Sequence, residues 1–230
     1  MASFSTKTMG SYKSFFTALV IFVISLNLIP RPAAYELSHE VAETQKGSAY
    51  AQNLTIVSDA NLDECKNLVQ NTLNSLPQNQ SSALKRISLI GSKMDRRGYG
   101  GYGEISLQCS DLPDSEIIGV FTHEIGHVVD DSTNNIFYKI SWSDSSRKLR
   151  GSNKMDFVTG YAMTDAFEDF AESYTMYILH GNSFRNMADG NEKIKEKYNF
   201  IKYNIFNGVE FFGYDKPLDQ GARVYDSTRI

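Results

Sequence analysis

The chain has 230 residues, 41% of them hydrophobic and 12% aromatic, enough length and apolar content for one domain with a proper core, which excludes wholesale disorder. Residues 1–34 carry three of the 23 basic residues and none of the 27 acidic ones, so the remainder holds 20 basic and 27 acidic groups, a formal charge of 20 − 27 = −7. A negative body with no dense Lys/Arg block excludes proteins built to hold nucleic acid or an anionic membrane, since both draw affinity from clustered positive charge.

Phe15 to Ile29 is almost unbroken apolar sequence, preceded by Lys7 and Lys13 and followed by Pro30, Arg31, Pro32, Ala33 and Ala34. A spanning helix wants about 20 apolar residues, so this shorter run reads as the core of a signal peptide over 1–34. Pro32 before Ala34 is a poor cleavage match, and an uncleaved anchor through 15–29 is the alternative. The body is therefore expected outside the cell, with a membrane as partner only if that segment is retained. Residues 35–52 are polar and mixed, a linker or short pro-segment.

The folded domain is expected over 53–206, with 207–230 as a tail of mixed aromatics and no clear period. Leu54 to Val57 reads as a strand, and Asn61 to Leu76 as a helix with Leu62, Cys65, Leu68, Val69, Leu73 and Leu76 on one face. Leu84 to Ile90 and Glu104 to Cys109 read as strands, with a glycine-rich loop between them. A helix follows from Asp114 or Ser115, with Ser115 as N-cap, through Val129. Another runs from Asp165 to His180, opened by Asp165 with Glu168 three residues on and stopped by Gly181. A last helix covers Glu192 to Phe206. The class is α+β, a small mixed sheet with a mostly helical remainder. Cys65 and Cys109 are either a single disulfide or two buried thiols.

Residues 123–127 read His-Glu-Ile-Gly-His. On a helix, two histidines at i and i+4 share a face and can meet one Zn²⁺, while Glu124, one position on, is rotated off the metal axis and placed to act as general base. A catalytic zinc wants a third protein ligand. Asp130 lies seven residues from His123, about 10 Å along the helix, too far to converge on the same ion. Glu168 and Glu172, i and i+4 on the later helix, supply the ligand: one carboxylate takes the metal and the other orients a ligand histidine.

His-Glu-Ile-Gly-His-Val-Val-Asp-Asp, followed about 40 residues later by Gly-Tyr-Ala-Met-Thr-Asp-Ala-Phe-Glu-Asp-Phe-Ala-Glu-Ser-Tyr, resembles the catalytic domain of anthrax lethal factor and the related secreted Pro-Pro endopeptidases. The resemblance implies a zincin-like metallopeptidase domain with one zinc per chain, held by His123, His127 and Glu168. It implies Glu124 as base, Tyr161 as the phenol that steadies the oxyanion and Glu172 behind the ligands. It implies further that Glu104 to Cys109 is an edge strand over the motif helix, along which a protein or peptide substrate lies extended, with Ile105 and Leu107 against it. Gly-Tyr repeats replace the longer Trp-containing loop of the Pro-Pro endopeptidases, so specificity for Pro-Pro bonds is not implied.

Gly98-Tyr-Gly100-Gly101-Tyr-Gly103 fits G-x-G-x-x-G letter for letter but leads into a strand instead of opening a helix, so a dinucleotide site is excluded. It reads as a hairpin loop that lines the cleft, with Tyr99 and Tyr102 in reach of substrate. Asp130 and Asp131 read either as supports of the site or as surface residues at a helix end, and His180 as a helix C-terminal cation. The sequence reading is a secreted zinc endopeptidase; its alternative is a non-catalytic binding or adhesion module with a zinc-stabilised fold, which the intact Glu124 argues against.

Overall fold

The computed structural model describes residues 54–59, 61–133, 136–212 and 224–229, all within the compact unit Gly47–Ile230; the export segment and linker expected over 1–52 lie outside them. In chain order the elements are β1 (Thr55–Ser58), α1 (Asp63–Ser75), α2 (Gln78–Ser81), β2 (Arg86–Ile90), β3 (Gly98–Gly101), β4 (Glu104–Gln108), α3 (Asp114–Ser132), α4 (Ala166–Leu179), α5 (Gly181–Asp189) and α6 (Glu192–Phe200). A π-helical stretch, Ile201–Ile205, continues α6. The architecture is mixed α+β: a four-stranded sheet in the order β1-β2-β4-β3, then a mostly helical remainder.

Alternation builds the sheet. In β2 and β4 the buried apolar residues fall at every second position, and parallel pairing sets Ile87 beside Ile105 and Leu89 beside Leu107. All four are buried, as are Cys65, Val69 and Leu73 of α1 and Ile117, Val120, Phe121, Ile125 and Val128 of α3. Helix α3 packs against α1, β3 and β4 along this stripe. Cys65 and Cys109 form a disulfide that ties α1 to the residue after β4 across 44 positions, a loop whose closure in the unfolded chain is worth about 4 kcal/mol in the chain-entropy account.

Several expectations are corrected. The sheet edge is β3, not Glu104 to Cys109: β4 is interior, paired with β2 on one side and β3 on the other. Ile105 and Leu107 consequently point into the core, 1% and 0% exposed, and cannot touch a substrate. The glycine-rich stretch is a strand and turn, since Tyr102 (φ 52°) and Gly103 (φ 86°) reverse the chain and let 98–101 pair antiparallel with 104–107. Ser115 is not the N-cap; α3 starts at Asp114 behind Pro113, with no side-chain cap. Gly181 opens α5 rather than terminating the helical run, and His180 between the two helices is buried, its Nε2 donating to the Ser227 carbonyl at 3.3 Å.

Helix α4 is buried almost all round. One of its groups, Asp169, is an acid at 0% exposure: its carboxylate accepts from Trp142 Nε1 at 2.9 Å and from Lys197 Nζ at 2.8 Å, and Lys197 itself is 0% exposed, 4.2 Å from the Phe157 ring centre. Among the described residues no helix is long and apolar enough to cross a membrane. Because removing one member of such a pair strands the other charge in the core, Lys197→Met is expected to cost about 3–5 kcal/mol and lower Tm by on the order of 10 °C. Thermal and urea unfolding check this, and a Tm within a degree or two of the unaltered protein would refute it.

Candidate metal centre

One turn of α3 separates His123 from His127, and one turn of α4 separates Glu168 from Glu172. What brings the two pairs face to face is Gly126: a Cβ there would stand 2.9 Å from the Cα of Ala171, so only glycine lets the helices approach this closely. At the crossing, Glu168 Oε2 lies 3.0 Å from His123 Nε2 and 3.4 Å from His127 Nε2. Tetrahedral donors bound at 2.0–2.1 Å stand roughly 3.3 Å from one another, so the three groups have the spacing of one coordination sphere. His123, His127 and Glu168 can therefore hold a metal ion.

The supports run outward from these three. Asp165 caps α4, its Oδ1 accepting from the backbone N–H of Phe167 and Glu168, which fixes where Glu168 leaves the helix. The Tyr161 hydroxyl donates to Glu168 Oε1 at 2.9 Å. Glu172, 0% exposed, meets His123 Nδ1 at 2.9 Å through Oε1, while its Oε2 accepts from Thr159 Oγ1 at 2.6 Å and from the Ser227 N–H at 2.9 Å. The Ser227 hydroxyl donates to Oε1 as well. Holding Nδ1 in this way leaves Nε2 as the metal-facing nitrogen.

Burial disfavours charge throughout, and the partners decide the outcome. It opposes a charged His123, but hydrogen bonds with Glu168 and Glu172 overcome it and push the imidazole up to about 10. Burial likewise opposes the Glu168 anion, and the two imidazoles outweigh it and hold the carboxyl well below the usual range. Burial raises Tyr161, helped by the neighbouring Glu168 charge. Glu124 differs: burial raises its carboxyl against the pull of both histidines, and among the described residues no side chain donates to it.

A cleft of about 770 Å³ opens over this cluster. Strand β3 forms one wall, and its glycines explain how close it comes: a Cβ on Gly98 would meet Glu124 Oε1 at 2.6 Å, and one on Gly100 would meet the Glu124 carbonyl oxygen at 2.4 Å. Tyr99 and Tyr102 line the cleft and are exposed, Tyr99 donating to Asp95 at 2.6 Å. Asp131 ties the hairpin to α3 by accepting from the Tyr102 N–H at 2.6 Å. Tyr225, Asp226, Thr228 and Arg229 also line it, and Arg97 joins Glu116, Asp226 and Thr228 there.

Of the residues expected at the site, His123, Glu124, His127, Tyr161, Glu168, Glu172, Tyr99 and Tyr102 gather in or directly behind this cleft. Ile105 and Leu107 do not. Asp130 is buried beneath the cleft and accepts from Thr133 Oγ1 at 3.2 Å. Thr159 and Ser227, which hold Glu172, and the Arg97–Asp226 pair escape sequence reasoning. Thr159 was traceable as a short hydroxyl two places before Tyr161, whereas nothing around Ser227 signals its role. No protein-family model matches the chain, and no curated protein matches it.

Two outcomes follow. Gly100→Ala drives a methyl into the helix backbone and is expected to cost about 1–3 kcal/mol in urea unfolding; an unchanged unfolding midpoint would refute the close approach. Burial also pushes the Asp130 carboxyl up to about 7 from 3.8. The folded chain then keeps a proton that the unfolded chain releases, so Asp130's contribution to stability falls as pH rises from about 4 to about 7. In metal-free protein the Tm of Asp130→Asn should gain on that of the unaltered protein across this window and hold its lead above it; parallel Tm curves would contradict it.

Proposed function

We propose that the chain is a zincin-like, zinc-dependent endopeptidase that hydrolyses peptide bonds of a protein or peptide bound as an extended strand. The observation that carries this reading is the convergence of His123, His127 and Glu168 at coordination spacing, with Glu124 facing the same cleft and, among the described residues, no side chain donating to it. The open edge of β3, which lines that cleft and has β4 on its other side, favours a main-chain partner over a small molecule. The disulfide between Cys65 and Cys109 supports an exported protein, because oxidising compartments are where such bonds persist.

Zinc bound by two imidazoles and a carboxylate supplies Lewis acidity toward a carbonyl and toward water. Glu124 takes the proton of the attacking water at its carboxylate and passes it to the leaving amine; burial, by raising its pKa, brings it closer to the operating pH of a proton carrier. Tyr161 turns its hydroxyl from Glu168 Oε1 to the developing oxyanion. Glu168 keeps its other oxygen toward the two imidazoles, and Glu172 holds His123. Gly98 leaves room for the Glu124 carboxylate, and β3 registers the substrate backbone above it.

Digestion of a proteome-derived peptide library, read by mass spectrometry, tests the reading. The zinc-loaded protein should cut, Glu124→Gln should bind zinc and make none of those cuts, and Tyr161→Phe should cut more slowly by on the order of 10² to 10³. Undiminished cutting by Glu124→Gln overturns the mechanism. A folded, zinc-loaded, unaltered protein that cuts nothing favours a binding module.

A further inference from the structure

The segment Val224–Arg229 is built into the centre from the far end of the chain. The backbone N–H of Gly160 donates to the Val224 carbonyl at 2.9 Å and that of Tyr161 to the Tyr225 carbonyl at 2.6 Å, so the loop that presents Tyr161 is paired with this strap. Arg97 clamps Asp226 and Thr228 from the base of β3. Thr228 lies on α3 where Gly119 makes space, a Cβ there standing 2.7 Å from its carbonyl oxygen. These contacts fix Ser227, which is 1% exposed. Its carbonyl accepts from His180, and its amide and hydroxyl both donate to Glu172, which in turn holds His123.

We propose that Ser227 is a positioning residue of the metal centre, acting through Glu172 on His123, and that the strap completes the centre by delivering it. The inference rests on reading His123, His127 and Glu168 as metal ligands. A carboxylate behind a ligand histidine orients the ring only if it is itself held, and Glu172 has three donors besides the histidine: Thr159 Oγ1, the Ser227 hydroxyl and the Ser227 amide. Two of those come from one residue 55 positions away, so ordering the strap and ordering His123 are the same event. Among the described residues between 172 and 227, none donates to Oε1.

The test is zinc affinity of the full chain, measured by competition with a chromophoric chelator, together with the visible spectrum of the Co²⁺ form. Ser227→Ala is expected to weaken zinc binding about 10- to 100-fold and to shift the Co²⁺ bands. In a Glu172→Gln background the same change should cost at most a further twofold, since the two act in series; independent, multiplying losses would overturn the pathway. Unchanged affinity and spectrum in Ser227→Ala, with a lowered Tm alone, would make Ser227 merely structural and overturn the proposal. If the variant does not fold, hydrogen exchange on the unaltered protein decides: zinc should slow exchange at residues 225–228 relative to chelated protein, and equal rates refute the proposal. Failure of the unaltered protein to bind zinc at all would instead overturn the metal reading.

Discussion

Everything at the site depends on how closely α3 and α4 cross at Gly126 and Ala171. The two helices each present a pair of groups one turn apart, His123 with His127 and Glu168 with Glu172, and the pairs meet because no side chain stands between the backbones. A residue with a Cβ at 126 would push α4 outward, and donors 3.0 and 3.4 Å apart would separate beyond the reach of one ion. The remaining machinery holds that crossing. Asp169, on the same turn as Glu168, is locked to Trp142 and Lys197 behind α4, and the cap at Asp165 sets where the helix begins.

The centre also concentrates buried carboxylates, and its chemistry lies in how differently they are partnered. Glu168 faces two imidazoles and a phenol, Glu172 is enclosed by Thr159, Ser227 and His123, Asp169 by an ammonium and an indole, and Asp226 by Arg97 and Thr228. Each of those anions is held in place by donors. Among the described residues of the cleft, Glu124 is the carboxylate that is buried, raised in pKa and turned to the cleft without such a donor, the property the proposed proton transfer calls for. Similar residues are thus divided by their neighbours into carboxylates held by donors and one that faces the cleft.

Much of this was legible in the sequence because it is local. Histidines at i and i+4 must share a helix face, as must the two glutamates; apolar periodicity makes both segments helices, and Asp165 marks the start of the second. The strands of alternating apolar residues, Arg86–Ile90 and Glu104–Gln108, were equally readable. Strand β3 was not: glycine has no β propensity, and Gly98–Gly101 is a strand only because β4 lies beside it and α3 comes close enough to require the absence of a Cβ. With β3 at the edge, β4 is interior, so Ile105 and Leu107 are core and not substrate contacts.

The sequence by itself determined the metal-type donors, the carboxylate beside them and the class of the fold, since helix and strand periods assign faces to residues only a few positions apart. Tertiary structure alone decided which strand lies over Glu124, that the sheet edge is β3, and that Ser227 joins Thr159 and His123 around Glu172. Those facts depend on backbone separation and on contacts between residues 13 to 55 positions apart, where no local period links one residue to the other.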